Sequence, residues 1–254
     1  MLRKIYLFTL CLLFTSMTSQ ACNIDIYANQ NMKPKIYIED GKPAGILVEM
    51  MSFIAQDINC QFNYKFSTWA RAYKNMLNGK GAVIGISKGL SREKLINYSD
   101  AIFTEEMLLV THIDNVFQYN NIDDLLGKTV IASRGAYFGD KFEKAVMNKL
   151  LTFVPDNGDI AKRLERVARG RVDIAIISPG KYAFKNAFIK HSELLALKDQ
   201  LYIVPTVFRR DLNFLGFSKK HNHKAFLEKF NLSLKKGHQS GAFKAIKDKY
   251  LQLQ

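Results

Sequence analysis

The sequence predicts an α/β protein of two similar halves, each built on a mainly parallel sheet, with a cleft between them. Three observations carry that expectation. Strand-like and helix-like segments alternate almost throughout the 254 residues. Residues 172–177 (VDIAII) form a near-continuous apolar run, as a strand buried on both faces requires. No Pro- or Ser-rich linker, low-complexity tract or short repeat separates the halves, so crossing strands must join them.

The first residues read as an export leader. Arg3 and Lys4 make a basic start, residues 5–14 an apolar run, and Ser19-Gln20-Ala21 a small-x-small cleavage site. The run is too short to span a bilayer comfortably, and no second one follows. A mature chain starting at Cys22 (leader 1–21, cleaved after Ala21) and soluble in the periplasm is therefore expected. The rival expectation is a lipidated Cys22; Ser19 argues against it, standing where a lipoprotein signal usually has an aliphatic residue.

Cys11 leaves with the leader, so Cys22 and Cys60 remain. Each immediately precedes a predicted strand (residues 23–28 and 61–66), and a helix joins the two. The strands should be parallel neighbours with their starting ends side by side, which puts the thiols within disulfide reach in an oxidising compartment. Closing that loop adds about 3–4 kcal/mol in the chain-entropy account.

The first βαβ unit comprises residues 24–28, a helix over 47–58, and residues 62–66. Asp40-Gly41-Lys42-Pro43 ahead of that helix is turn chemistry. A helix over 70–78 leads to a strand at 83–86. Near 103–107 the pattern restarts, with strands at 108–112 and 130–132, helices at 138–149 and 160–169, and the buried strand at 172–177. Return strands are expected at 201–204 and 212–217, and amphipathic helices at 224–234 and 243–251 complete the chain.

Lys and Arg number 37 against 23 Asp and Glu, a formal charge of +14 of which the leader takes two. Such a balance favours anionic partners or reflects solvated helix faces. Nucleic acid is not expected, because no basic stretch alternates with exposed aromatics as a strand-binding groove requires. No P-loop, dinucleotide fingerprint or HExxH helix occurs, and no cofactor is expected. His221-Asn222-His223 lacks the Cys or carboxylate companions of a zinc site, so no metal is expected either. Gly85-Ile86-Ser87-Lys88-Gly89 matches the nucleophile-elbow pattern, but none of His191, His221, His223 and His238 sits in a motif that would activate Ser87. Ser87 is read as a ligand-facing hydroxyl.

The stretch from Trp69 to Asp100 is the most informative. It reads as helix, buried strand and a polar loop carrying Arg92 at the C-terminal end of a parallel strand, where open α/β sheets bind small anions. Together with Gly41-Lys42-Pro43-Ala44-Gly45-Ile46, Gly89-Leu90-Ser91-Arg92, Tyr98-Ser99-Asp100, Ile122-Asp123-Asp124-Leu125-Leu126-Gly127-Lys128, Gly170-Arg171-Val172-Asp173 and Ser240-Gly241-Ala242-Phe243-Lys244-Ala245-Ile246, it makes the chain resemble the family 3 extracellular solute-binding proteins over essentially its whole mature length.

That resemblance implies a two-lobed flytrap fold with a two-strand hinge, with lobe one at 22–107 and 207–254 and lobe two at 108–206. It also implies capture of a small-molecule solute and delivery to an ABC permease in the inner membrane, with the receptor a monomer. By the same resemblance Arg92 anchors a ligand carboxylate, helped by Ser87 and Gly89. Trp69 and Tyr37 are candidates to stack on the ligand's apolar part. Gly135, Ala136 and Tyr137 form the opposing clamp, expected to aim backbone N–H groups of a helix start at the anion.

Departures from the family pattern matter. Ser178 stands where amino-acid receptors usually carry the acid that pairs the ligand ammonium, and with Pro179 it reads as a helix cap. Lys35 replaces the usual aromatic and Leu47 a common acid. Asp156 or Asp159 is expected to stand in for the missing carboxylate. A small carboxylate-bearing solute, an amino acid or a related organic acid, is the expectation. Alternatives are a cyclohexadienyl dehydratase-like enzyme on the same fold, or a ligand-sensing docking module.

Overall fold

The computed structural model describes residues 22–157 and 159–251; the expected leader lies outside them. Strand β1 (Cys22–Asn29) is followed by a small sheet of β2 (Asn31–Met32), β3 (Ile36–Glu39) and β4 (Lys42–Ala44), then helix α1 (Ile46–Asp57) and β5 (Cys60–Ser67). Next come α2 (Trp69–Leu77), β6 (Ala82–Ile86), the single-turn α3 (Leu90–Glu93), β7 (Ile96–Tyr98) and β8 (Phe103–His112). The second lobe adds β9 (Thr129–Ser133), α4 (Asp140–Met147), β10 (Thr152–Asp156), α5 (Ile160–Ala168), β11 (Ile174–Ile177), α6 (Gly180–Lys190) and β12 (Leu201–Ile203). The chain returns through β13 (Arg209–Ser218) to α7 (Lys224–Gln239) and α8 (Ala242–Leu251).

The fold is α/β and two-lobed, on one continuous curled sheet of order β10-β9-β11-β8-β13-β6-β1-β5. The outer pairs β1–β5, β1–β6, β9–β10 and β9–β11 are parallel. Among the described residues only β8 and β13 cross from lobe to lobe, paired antiparallel at 103–107 and 209–213. Beyond that ribbon β13 turns to β6 and β7 through an irregularity at Phe214/Leu215, while β8 turns to β11 and β12. A two-strand hinge of this kind lets two rigid cores rotate about a few backbone torsions.

Each lobe buries apolar surface on both faces of its sheet. On β11, Ile174 and Ile176 face the core containing Phe138 and Phe142, while Ala175 and Ile177 face α5 with Leu164 and Val167. That two-sided burial is why 172–177 reads as an unbroken apolar run. In lobe one Met50, Met51, Phe230 and Phe243 fill one side, and Ala72, Met76 and Ile86 the other.

The disulfide forms as expected: Cys22 lies opposite Cys60 in the parallel register, Cα–Cα 4.5 Å, closing a separation of 38 residues. Replacing both by serine is expected to lower unfolding free energy by about 2–4 kcal/mol. Urea denaturation of the two forms checks it; an unchanged midpoint would contradict the loop-entropy account.

Several boundaries differ from expectation. The helix placed at 138–149 begins only at Asp140, because Gly139 (φ 106°) breaks the helical path and sends Phe138 into the core against Phe142 and Phe153. Residues 103–112 form one strand rather than two segments. β10 escaped the sequence reading since it contains Pro155, tolerated because β10 is a sheet edge. The Asp40-Gly41 turn joins β3 to β4 with both residues at positive φ (49° and 74°), as a two-residue hairpin loop demands.

His223 stacks on Phe217 with ring centroids 4.0 Å apart, and His238 packs edge-on against Phe243. Burial pushes both imidazoles below their ordinary 6.5, helped by His221 for the first and Lys247 for the second. The folded state thus favours the neutral rings. Their cost is absent above pH 6.5 and grows as pH falls below it, where the unfolded chain binds the protons more readily. His223→Phe, which keeps the stack, is expected to lose less melting temperature than the parent between pH 7.5 and 5.5. An equal loss would exclude His223 as a source.

Candidate functional site

A cavity of about 60 Å³ lies between the lobes against the crossing strands. Its first wall comes from the loop after β6. Extended Gly89 leads into α3, whose single turn puts Arg92 over the cavity mouth with 8% of its surface exposed. Arg92 Nη1 donates to the Ser87 carbonyl (3.2 Å) and Nη2 to the Gly135 carbonyl (2.8 Å), and the guanidinium lies 5.2 Å and 5.5 Å from the ring centroids of Tyr73 and Tyr137. Trp69 Nε1, from the first turn of α2, donates to the same Gly135 carbonyl at 2.8 Å. One carbonyl of lobe two therefore ties down two side chains of lobe one.

The polarity of this clamp reverses the sequence expectation. The loop at Gly135, Ala136 and Tyr137 precedes the helix by several residues, and the Ala136 N–H is spent on Ser133. Gly135, at φ 72°, presents an acceptor to the cleft instead of donors. Ala136 and Tyr137 line the cavity; Gly135 itself borders the outer groove. Gly89 is absent from the lining, but a Cβ there would come within 2.7 Å of the Tyr137 ring, so it permits the close approach of the lobes.

The floor is a buried polar network on the crossing strands. Glu105 of β8 and Asp211 and Asn213 of β13 point inward by strand alternation. Glu105 Oε1 accepts from Lys35 Nζ (2.5 Å) and Asn213 Nδ2 (3.0 Å), and Oε2 accepts from Ser178 Oγ (2.6 Å). Asp211 Oδ2 accepts from Ser87 Oγ (2.5 Å) and Asn213 Nδ2 (3.1 Å), and Oδ1 from Arg209 Nε (3.2 Å). Burial pushes the Asp211 carboxyl up, opposed by the Ser87 hydrogen bond and reinforced by the Glu105 charge. Lys35, 1% exposed, is held in place by its own backbone: Pro34 and Lys35 carbonyls accept from the first N–H groups of α1, an approach open only because Gly45 has no Cβ.

On the far side Arg163 of α5 donates to both Asp156 oxygens (2.6 Å each), Ser133 Oγ (2.6 Å) and the Ile176 carbonyl (2.9 Å). This corrects the expected substitutes for the missing acid. Asp156 is committed to Arg163, and Asp159 caps α5 by accepting from the Lys162 N–H. Ser178 is not a helix cap: α6 starts at Gly180 behind a cis Ser178-Pro179 bond, and the hydroxyl turns to Glu105.

Tyr37 is also corrected. It packs under Lys33 (4.5 Å from Nζ to the ring centroid) away from the cavity, and its near neighbour Lys35 is the residue that enters. Of the expected site residues, Trp69, Ser87, Arg92, Ala136, Tyr137 and Ser178 meet at the cavity. Missed were Lys35, Glu105, Asp211 and Arg163. The available signal was acids at inward positions of two otherwise apolar strands. Ser87 hydrogen-bonds Asp211 rather than a histidine, and no group of three or more metal-ligating His, Cys, Asp or Glu occurs among the described residues.

Among the cations named at the site, Lys35, Arg163 and Arg209 each contact a carboxylate, whereas Arg92 hydrogen-bonds only backbone carbonyls, lies over the Tyr73 and Tyr137 rings and makes no ion pair among the described residues.

This is the architecture of a two-lobed binding protein with a charged, half-apolar interlobe cavity. The sequence matches the bacterial extracellular solute-binding proteins, family 3, over residues 24–253, and the chain belongs to that family. It is 25% identical over 222 residues to the probable amino-acid-binding protein YxeM of Bacillus subtilis (strain 168), covering 85% of this chain and 79% of the relative. Among solved structures it is similar to a histidine kinase sensor domain resembling periplasmic binding proteins, with TM-score 0.74 and 21% identity, covering 90% of this chain and 96% of the other. It is also similar to a mutant of ArgBP from T. maritima, with TM-score 0.71 and 19% identity over 91% and 95% of the two chains.

Proposed function

We propose that this protein is a periplasmic receptor that captures a small carboxylate-bearing solute, an amino acid or related organic acid, and presents it to an ABC permease for import. In this reading the leader 1–21 is removed, the receptor is a monomer, and lobe one (22–107 and 207–254) closes on lobe two (108–206) about β8 and β13. The observation that supports it is Arg92, a buried guanidinium at the cavity mouth with two of its five N–H donors on backbone carbonyls and no carboxylate partner among the described residues. A solute carboxylate is the chemistry that a guanidinium fork matches best. Belonging to a family of solute-binding proteins supports capture without turnover.

The test is a thermal-shift screen of the mature chain against amino acids, organic acids, peptides and sugars. A ligand at a hundred times its Kd adds about 2.7 kcal/mol, an easily read shift. A carboxylate hit is expected, with prephenate and arogenate left unconsumed. An uncharged sugar as the tight binder, or turnover of either acid, would overturn the reading.

A further inference from the structure

We infer that the cleft selects a solute carrying one net negative charge and no ammonium group: a short hydroxy monocarboxylate. The inference rests on the receptor reading above and deepens it. Its basis is a charge inventory of the cavity and the groups bonded to it.

Three ion pairs close on themselves there. Lys35 meets Glu105 at 2.5 Å, Arg163 meets Asp156 at 2.6 Å, and Arg209 meets Asp211 at 3.2 Å. Arg92 is left over. Glu143 feels its field from the outer groove but lies beyond ion-pair distance, and its carboxylate accepts from the Phe138 N–H. One surplus positive charge in a buried cavity calls for one negative charge; a cation brought in as well would need a second counter-charge.

The carboxylates that would serve an ammonium are already engaged. Glu105 and Asp211 each accept three hydrogen bonds, and Asp156 takes a two-pronged grip from Arg163. An ammonium brings three donors and a full charge. Each of these acids already neutralises a lysine or arginine, so an ammonium would share a counter-charge instead of gaining one of its own. A neutral hydroxyl makes no such demand. Ser87 and Ser178 spend their protons on Asp211 and Glu105, so both oxygens are left as acceptors on the cavity wall, suited to an O–H donor.

Size and polarity agree. Beside the polar Asn29 and Ser133, the rest of the wall is largely apolar, with Met32, Met107, Phe138, Ile160 and Ile176. A cavity of about 150 Å³ accommodates benzene in an engineered protein; at about 60 Å³ this one suits a body of a few carbons.

The experiment is calorimetry on the mature chain with matched pairs, lactate against alanine and 2-hydroxy-4-methylpentanoate against leucine, with succinate as the dianion and Arg92→Ala as the control. The expected result is that lactate binds at least ten times tighter than alanine and than succinate, and that Arg92→Ala abolishes it. Glu105→Gln, which frees the Lys35 charge and raises the surplus to two, is expected to shift the succinate-to-lactate ratio at least tenfold toward succinate. Arg92-dependent binding with alanine, leucine or succinate within tenfold of the hydroxy acid, or better, overturns the inference and leaves the receptor reading standing. Binding of none of these carboxylates overturns the inference and leaves the receptor reading to the thermal-shift screen; binding indifferent to Arg92→Ala overturns both.

Discussion

Arg92→Ala is expected to weaken solute binding by about 30-fold or more while moving the melting temperature of the ligand-free chain only slightly. Truncating one partner of a desolvated charge pair costs about 2–5 kcal/mol, which is about 30-fold to several thousandfold in Kd. The loss to the free protein is smaller. Arg92 gives up two hydrogen bonds to backbone carbonyls, and the Gly135 carbonyl keeps its bond from Trp69. Arg92→Lys should recover part of the affinity, since a point charge remains but the two-pronged geometry does not. Titration calorimetry with the solute found in screening separates these outcomes. Unchanged affinity in Arg92→Ala would place the anchor elsewhere.

The second large effect is on stability. Glu105→Ala is expected to cost about 3–5 kcal/mol, because Lys35 at 1% exposure would be left without its counter-ion. Asn213 and Ser178 would lose an acceptor in the same step. For a chain of this size that is a fall of about 6–20 °C in melting temperature. Replacing the pair together, Lys35→Met with Glu105→Leu, removes both charges and should recover more than half of the loss. Additive costs in this double-mutant cycle would mean that the two groups do not depend on each other.

The network also shows where sequence reading succeeds and where it stops. Arg92, Trp69 and Ser87 were legible because each sits in a local pattern of strand, turn and helix that carries its own geometry. Lys35, Glu105 and Asp211 were not. They come from segments about 70 to 180 positions apart, and nothing local says that a lysine beside Pro34 will be buried. The resemblance puts an aromatic wall at Tyr37; which of Tyr37 and Lys35 enters the cleft is set by how the backbone of Pro34 and Lys35 docks on the start of α1. The Gly135 loop meets Arg92 through a carbonyl where the sequence suggests N–H donors, since one glycine at position 139 delays the helix.

By itself the sequence determined the α/β class, the two halves, the register that pairs Cys22 with Cys60, and the loop bearing Arg92. Those follow from periodicity, turn chemistry and short-range connectivity, which act within a few tens of residues. Tertiary structure alone decided the charge balance of the cleft. A buried charge or hydroxyl is costly without a partner, and the partners of Lys35, Ser87 and Ser178 arrive on β8 and β13, the two strands that cross between the lobes.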